Sequence, residues 1–343
     1  MIQIIRVNLP LRAPFETARG TTTHRQAVVV RHQVEGLVGW GEASPLPGLM
    51  PESADDAFAE LLPLHGAPGV LLEDLGEVQQ FVQSRVASVS AQHALSTALI
   101  DVMARARDIP LAQMLNPTVR RDVPISHLYR DEGRLFHATM LGAQTIKVKV
   151  GMRSLDAELG TIRAIREIVG PSVHIRLDAN GAWTEEEAKA AIDAFVPIGV
   201  REIEDPINPY DFAGMARLRG RGIDIAADEG LASVDALAAI IDSRAADVAV
   251  FKPMRLGSIV TCMGMMNMAS NAGLEGFMTT TIDAAIGRMT ALHLAAASPV
   301  KKLRACGLDT ADWLAEDVGE TPEMTGSHVD APSRPGLGLD AQV

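Results

Sequence analysis

Cysteine and positive charge are both scarce in this chain of 343 residues. Its two cysteines, Cys262 and Cys306, match neither a disulfide framework nor the paired spacing of a zinc site. Lys and Arg number 31 against 43 Asp and Glu, and the net charge is −12. Nucleic-acid binding needs a basic surface, so we expect no nucleic-acid partner. The amino terminus also lacks the basic segment and long apolar run of a secretory signal, so we expect a reduced, cytoplasmic protein.

Long uncharged runs are absent except for one. Residues 256–274 contain no charged side chain and are long enough to cross a bilayer. The segment nevertheless contains three glycines and several Ser, Thr and Asn residues, and it falls where the surrounding pattern requires a helix. We therefore expect a packed helix whose methionines fill gaps in the core, and no membrane association.

The pattern along the chain divides it into three parts. Residues 1–115 contain strand-like runs followed by helical ones, which predicts an α+β capping domain whose stretch 16–25 forms a lid. Residues 116–310 alternate between strand-like and helical runs, and this alternation predicts an α/β fold, a modified (β/α) barrel of the TIM type. The loop-rich residues 311–343 are expected to pack back on the capping domain. The eight predicted barrel strands begin at residues 123, 145, 173, 200, 223, 248, 276 and 303.

Charged residues recur at nearly constant spacing in the predicted barrel. The series is Lys149, Asp178, Glu204, Asp228 and Lys252, with steps of 29, 26, 24 and 24 residues. Each member ends or nearly ends an apolar run, and a strand, a helix and two short loops occupy about this length. The spacing therefore brings three carboxylates and two lysines to the carboxyl end of one parallel sheet, where barrel active sites lie.

Three carboxylates this close would repel one another unless a cation lay between them. Asp178, Glu204 and Asp228 are therefore predicted metal ligands. A set of oxygen ligands suits Mg²⁺ better than zinc, with Mn²⁺ as the alternative.

Lysines flank the predicted metal site. Lys147 and Lys149 are two residues apart in one strand, so their side chains point to the same face. Their aliphatic neighbours predict that both are buried, and two buried ammonium groups lower each other's pKa, as a lysine base requires. Lys252 ends a strand four units away and is expected to face Lys149 across the barrel mouth. The alternative for Lys252 is a structural salt bridge to Asp228 or Glu229.

Other residues are candidates to contact a substrate, each with a structural role as the alternative. They are Arg19 in the predicted lid, Asn180, the cluster Thr279, Thr280 and Thr281 with Asp283 after the seventh strand, and Arg255 and Arg288 as carboxylate-binding residues.

These residues resemble the motifs of the enolase superfamily, in particular its muconate lactonizing enzyme subgroup. Lys147-x-Lys149 is similar to the subgroup's KxK motif, and Lys252-Pro253 to its opposing lysine. The three ligand motifs are matched by Asp178-x-Asn180, Glu204-Asp205-Pro206 and Asp228-Glu229. The resemblance covers essentially the whole chain.

The resemblance implies an enzyme in which Lys149 or Lys252 removes the proton alpha to a substrate carboxylate. In that scheme Mg²⁺ stabilises the resulting enediolate. Lys147 would tune Lys149, and Asp205 and Glu229 would support the metal ligands. The implied partners are a small-molecule carboxylate and further copies of the chain in a homo-oligomer.

The reaction is indicated by two further segments. Residues 39–48 and 307–317 resemble o-succinylbenzoate synthases, which predicts β-elimination of water. Lys252-Pro-Met-Arg255, however, is similar to the KPxR segment of N-acylamino acid racemases, and Trp40-Gly-Glu also occurs in dipeptide epimerases. The Asp-x-Asp of those epimerases is not evident, since Asp309 stands alone.

Dehydration is therefore the leading expectation. Racemisation, epimerisation or cycloisomerisation is the alternative, and a non-catalytic binding protein is the alternative outside this superfamily's chemistry.

Overall fold

The computed structural model describes residues 1–17 and 20–343, without the side chains of residues 15–17 and 20. The capping domain begins with an antiparallel sheet in the order β1-β2-β3. Its strands are β1 (Ile2–Thr17), β2 (Gly20–Val34) and β3 (Leu37–Ala43). The helices that follow are α1 (Ala54–Leu61), α2 (Leu75–Gln83), α3 (Val89–Ala106) and α4 (Leu111–Leu115).

The first hairpin is longer than the sequence pattern predicts. Residues 20–25, assigned above to a polar lid, lie in β2 and pair with β1. Thr21, Thr22 and Thr23 are β-branched, and such residues favour strands even where the pattern is polar. Arg19 lies outside the described residues.

Helix α3 is buried along most of its length and packs directly on the backbone of β3. Glycines on either side of Trp40 make this contact possible. A Cβ atom at Gly39 would lie 2.2 Å from the carbonyl oxygen of Ala98, and one at Gly41 would lie 1.8 Å from that of Ala94. Neither position therefore accepts a side chain without a backbone shift.

The barrel strands and helices alternate from residue 122 onward. The strands are β4 (Asp122–Pro124), β5 (His127–Leu128), β6 (Thr145–Lys149), β7 (His174–Asp178), β8 (Glu202–Glu204), β9 (Asp224–Ala227), β10 (Val248–Phe251) and β11 (Glu275–Met278). The helices are α5 (Glu132–Met140), α6 (Leu155–Val169), α7 (Glu185–Phe195), α8 (Phe212–Leu218), α9 (Val234–Asp242), α10 (Pro253–Leu256), α11 (Ile259–Asn271) and α12 (Ala285–Ala297). Neighbouring strands from β5 to β11 pair in parallel in chain order. This is the α/β architecture expected above, a modified TIM barrel with an α+β capping domain.

Residues 303–307 close the barrel without forming a regular strand. Isolated parallel bridges join Leu303 and Gly307 to the β11 side and Cys306 to Ile125 beside β5. The eighth strand expected at 303–305 is therefore present as single bridges.

The uncharged segment 256–274 forms α11, whose buried residues include Cys262 and Met266. In the part of the chain that the structure describes, no helix is both long and apolar enough to cross a membrane. Helices α4, α5 and α10 were not expected from the sequence. Helices α4 and α10 span only 5 and 4 residues, and α5 buries only Leu135. None of the three has the long apolar stripe from which a helix is predicted.

The carboxyl-terminal segment lies against α3 of the capping domain. Arg105 pairs with Asp340 at 3.1 Å, and the Leu337 N–H donates to Asp101 at 2.8 Å. A short strand, β12 (His328–Asp330), pairs antiparallel with β4.

We expect Gly41→Ala to lower the thermal midpoint of unfolding by about 1–4 °C, since overpacking against a fixed backbone costs about 1–3 kcal/mol. The matched control is Gly160→Ala in α6, where a Cβ meets nothing within 4 Å. That change should leave the midpoint unchanged or raise it, because alanine favours a helix by about 0.5–1 kcal/mol. Calorimetry or circular dichroism measures both, and equal midpoints for the two variants would contradict the packing described here.

Candidate active site

A cavity of about 700 Å³ lies at the carboxyl ends of the barrel strands. Residues 46–49 and Pro14 of the capping domain form part of its wall. The barrel contributes charged side chains, namely Lys147, Lys149, Asp178, Asp228, Glu229, Lys252 and Asp309. The mouth of the barrel and the capping domain therefore enclose one space.

The three predicted metal ligands lie side by side. Asp178 ends β7 and pairs with Glu204 at the end of β8, while Asp228 directly follows β9. Their exposed fractions are only 3%, 0% and 2%. One oxygen of Glu204 (Oε1) and one of Asp228 (Oδ1) have no hydrogen-bond partner, although Nε of Arg176 lies 3.8 Å from Oε1 of Glu204. The structure therefore buries two carboxylate oxygens without the hydrogen bonds that such groups usually make.

Ammonium groups hold the remaining oxygens. The Nζ of Lys147 lies 2.8 Å from Oδ2 of Asp178 and 2.6 Å from Oε2 of Glu204. The Nζ of Lys252 lies 2.7 Å from Oδ2 of Asp228. Among the described residues, no three acidic, histidine or cysteine side chains are close enough to hold a metal ion as they stand, because these lysines reach in between the acids.

The expectation of two buried lysines with lowered pKa values is wrong in part. Lys149 is exposed, because it lies one pleat nearer the mouth than Lys147. Burial lowers the pKa of Lys147, but the charges of Asp178 and Glu204 outweigh burial and raise it above its usual value. Lys147 is therefore an ammonium that neutralises acids rather than a neutral amine.

The same cluster separates the acids in pKa. Burial and the neighbouring charges of Asp178 and Asp228 raise the pKa of Glu204 to about 7, although Lys147 acts in the opposite direction. Burial also opposes ionisation of Asp178, but Lys147 outweighs it, and the pKa of Asp178 lies below its usual value. The Lys147 ammonium thus stabilises the ionised form of Asp178 more than that of Glu204.

Asp205 and Glu229 connect the loops that carry the acids. The carboxylate of Asp205 accepts hydrogen bonds from the backbone N–H groups of Asp228 at 3.0 Å and Glu229 at 2.7 Å. Asn180 donates its backbone N–H to Asp178 at 3.1 Å and its side-chain amide to Glu229 at 3.3 Å. These bonds fix the turns after β7, β8 and β9 relative to one another.

The candidate substrate-binding residues fall into two groups. Thr279, Thr280 and Thr281 line the cavity. Asp283 is 1% exposed and accepts a hydrogen bond from the hydroxyl of Thr281 at 2.6 Å. Its side chain therefore lies behind the residues that line the cavity. Arg255 is also buried and does not line the cavity.

Arg288, named above as a carboxylate-binding residue, pairs with Asp317 at 2.6 Å. The structure therefore does not bring Arg255, Asp283 or Arg288 to the cavity. Their side chains turn into the protein, where Asp283 and Arg288 bond to Thr281 and Asp317, while one guanidinium nitrogen of Arg255 is buried without a hydrogen-bond partner.

Glu42 is a buried acid that the sequence analysis did not single out. It lies in β3 and accepts hydrogen bonds from the backbone N–H groups of Ala284 at 2.8 Å and Gly287 at 2.7 Å. These groups belong to the first turn of α12, so the capping domain supplies the cap for a barrel helix. Burial and the nearby Asp283 raise the pKa of Glu42. In the sequence, Glu42 stands between Gly41 and Ala43 in an otherwise apolar strand. A charged residue in that position could have indicated a buried acid.

We expect the metal-free protein to lose stability as the pH rises through about 7, owing to Glu204. Its pKa in the folded protein lies above the ordinary 4.5, so the unfolded state releases its proton first, and the stability present below about pH 4.5 declines up to about pH 7. Glu204→Gln should therefore be more stable relative to the unmodified protein at about pH 8 than at about pH 5. Thermal unfolding with a chelator measures this difference.

The matched control is Glu275→Gln. Lys302 and Arg304 hold the pKa of Glu275 below its usual value despite partial burial, so its effect on the midpoint should be the same at both pH values. Parallel curves for Glu204→Gln and Glu275→Gln would contradict this assignment.

Comparison with known proteins places the chain in a family. Residues 1–116 match the family model described as mandelate racemase / muconate lactonizing enzyme, N-terminal domain. Residues 134–342 match the model described as enolase C-terminal domain-like. The two models together span nearly the whole chain.

Individual relatives agree with the family models. An L-Ala-D/L-Glu epimerase from Bacillus subtilis is 30% identical over 98% of this chain and 95% of the relative. A chloromuconate cycloisomerase from Cupriavidus necator is 30% identical over 97% of this chain and 94% of the relative. An N-succinyl-L-Arg/Lys racemase from Bacillus cereus is 25% identical, with 99% and 94% covered.

The substrate-liganded structure of the Bacillus subtilis epimerase superposes with a TM-score of 0.89 at 28% identity and covers 100% of this chain and 99% of that one. The protein is an enzyme, and it belongs to the muconate lactonizing enzyme subgroup of the enolase superfamily.

Proposed function

We propose that the protein racemises or epimerises a small carboxylic acid, an N-acylamino acid or a dipeptide, by moving the proton alpha to the carboxylate. The observation that carries this proposal is that Lys149 and Lys252 reach the same cavity from β6 and from the end of β10. These strands are separated by β7, β8 and β9. Two amines on opposite sides of a bound substrate can serve its two faces. The epimerase and racemase relatives support the same chemistry.

A divalent cation fits the acids of the site. Asp178, Glu204 and Asp228 supply only oxygen donors, which suits Mg²⁺ or Mn²⁺. The oxygens of Glu204 and Asp228 that have no hydrogen-bond partner are the buried groups that such an ion would satisfy. A bound Mg²⁺ would supply positive charge beside the substrate carboxylate and stabilise the negative charge that develops when the alpha proton leaves.

The lysines then have separate roles. In one direction neutral Lys149 takes the alpha proton from one face, and the Lys252 ammonium returns a proton to the opposite face. The configuration inverts, and in the reverse reaction the two lysines exchange roles. Lys147 remains an ammonium between Asp178 and Glu204 and orients these carboxylates. Thr279, Thr280 and Thr281 present hydroxyl groups that can orient the substrate.

Dehydration, as in o-succinylbenzoate synthases, is the second candidate. The observation that favours it is that residues 46–49, which adjoin and overlap the synthase-like segment 39–48, line the cavity. Elimination needs the same first step at Lys149 or Lys252, followed by departure of a hydroxyl group. The two reactions therefore differ in the mass of the product, since only dehydration removes water from the substrate.

Metal binding is tested by calorimetric titration of Mg²⁺. We expect Asp178→Asn, Glu204→Gln and Asp228→Asn each to weaken binding by about tenfold or more, since affinity depends on the number of charged ligands. The matched control is Asp224→Asn, because Asp224 begins β9, the strand that Asp228 follows, and pairs with Arg304 away from the cavity. Equal Mg²⁺ affinity in all four variants would contradict the assigned ligands.

The reaction is tested by incubation in D₂O with Ala-Glu dipeptides, N-succinylamino acids and the o-succinylbenzoate synthase substrate. We expect the alpha hydrogen of both enantiomers or epimers to exchange, with the mass otherwise unchanged. Lys149→Ala and Lys252→Ala should each lose exchange from one configuration and reduce inversion by about 100-fold or more.

Lys302→Ala, which removes a lysine paired with Glu275 on the surface, should exchange normally. A product lighter by one water would favour the dehydratase. Loss of both exchange reactions in each single lysine variant would contradict the two-sided scheme.

A further inference from the structure

A buried cation of the capping domain, Arg25, takes no part in the chemistry proposed above. It lies in β2, and only 2% of it is exposed. Burial lowers the pKa of Arg25, while the charges of Asp283 and Glu42 act in the opposite direction. Because a guanidinium loses its hydration on burial, its N–H donors need partners inside the protein.

The three nitrogens of this guanidinium bond to two different segments of the chain. Nη1 donates to the carbonyl oxygen of Pro45 at 3.1 Å, and Nη2 donates to that of Ser44. Nε donates to the carbonyl oxygen of Ile282 at 3.1 Å. The first two carbonyl groups belong to the loop after β3 of the capping domain, and the third belongs to the loop after β11 of the barrel. One side chain therefore joins the two domains.

Both segments form walls of the active-site cavity. Residues 46–49 directly follow the two bonded carbonyl groups of the capping domain and line the cavity. Ile282 lines the cavity as well, together with residues 279–281 that precede it. The position of one wall relative to the other therefore depends on Arg25.

The barrel wall contains a turn that needs support. Ile282 has a φ of 62°, in the left-handed region that β-branched residues rarely adopt. Such a conformation persists only where the surrounding contacts impose it. Asp283 holds one side of the turn by accepting hydrogen bonds from the N–H and the hydroxyl of Thr281, at 3.1 and 2.6 Å. Arg25 holds Ile282 itself.

The capping domain makes a second contact with the same part of the barrel. Glu42 accepts hydrogen bonds from the backbone N–H groups of Ala284 and Gly287, which do not line the described cavity. Attachment of the two domains therefore does not depend on Arg25 alone. Loss of Arg25 should loosen the two walls without separating the domains.

We propose that Arg25 is a positioning residue, which holds residues 44–49 of the capping domain and residues 279–282 of the barrel in the arrangement that binds the substrate. Its effect falls on substrate binding rather than on proton transfer, because each guanidinium nitrogen bonds to one of these two segments. The effect on the substrate rests on the proposed function, whereas the effect on the two walls does not.

Hydrogen–deuterium exchange of backbone amides, measured by mass spectrometry, tests the effect on the walls. We expect Arg25→Met to speed exchange in peptides that cover residues 44–50 and 279–284 by about tenfold or more, the worth of one charged hydrogen bond. Exchange in α3, which reports on the capping domain as a whole, should not change. Arg25→Lys keeps the charge but lacks the planar fork of donors, so both rates should rise by a smaller factor.

Arg31→Met is the matched control, because Arg31 also lies in β2 but bonds to the side chains of Gln3 and Gln33. It should leave both peptides unchanged. Unchanged exchange in either wall of Arg25→Met, or an equal increase in α3, would overturn the inference. If Arg25→Met does not fold, Arg25→Lys decides by the same two outcomes. Failure of both variants to fold would also overturn it, since Arg25 would then be needed for folding as a whole.

Steady-state kinetics tests the effect on the substrate, with the compound that reacts in the D₂O experiment. We expect Arg25→Met to raise KM by about tenfold or more, with kcat changed less than about threefold, and Arg25→Lys to raise KM less. A role in folding alone would lower kcat through the fraction of active protein and leave KM unchanged, and that result would overturn the inference. If no compound reacts, the proposed function fails, and amide exchange still decides the role of Arg25.

Discussion

Repulsion among three buried carboxylates is the constraint on which the active site depends. Asp178, Glu204 and Asp228 lie at neighbouring strand ends with almost no exposure, where water cannot screen their charges. Lys147 and Lys252 neutralise part of that charge. The remainder is visible in the raised pKa of Glu204, about 7, and in two carboxylate oxygens without hydrogen-bond partners. We propose that a divalent cation resolves this imbalance.

The scaffold keeps this charge in place by layering the barrel interior. Below the acids, Arg176 and Glu202 form an ion pair at 1% and 0% side-chain exposure, and the guanidinium of Arg176 lies 3.6 Å from the ring centroid of Phe277. Above them the capping domain supplies apolar walls, and Glu42 fixes that domain to the first turn of α12. The barrel thus carries the charged groups of the cavity, and the capping domain encloses them.

The strand ends were predictable from the sequence because each strand is an apolar run and the strand–helix unit repeats at nearly constant length. All five charged residues of that series lie in or around one cavity. Contacts made by distant segments were not predictable. The raised pKa of Lys147 depends on three strands at once, and Asp283 turns away from the cavity because Thr281 bonds it. The long hairpin was missed because a polar strand resembles a turn in composition.

We propose that the acids bind a divalent cation in place of the protons and ammonium contacts that otherwise neutralise them. The most direct measurement is the number of protons released when Mg²⁺ binds, obtained by calorimetry in buffers of different ionisation enthalpy. Since the pKa of Glu204 is about 7, release should approach one proton near pH 6, decline by about pH 8, and disappear in Glu204→Gln. Mg²⁺ binding with no proton release at either pH would contradict the account.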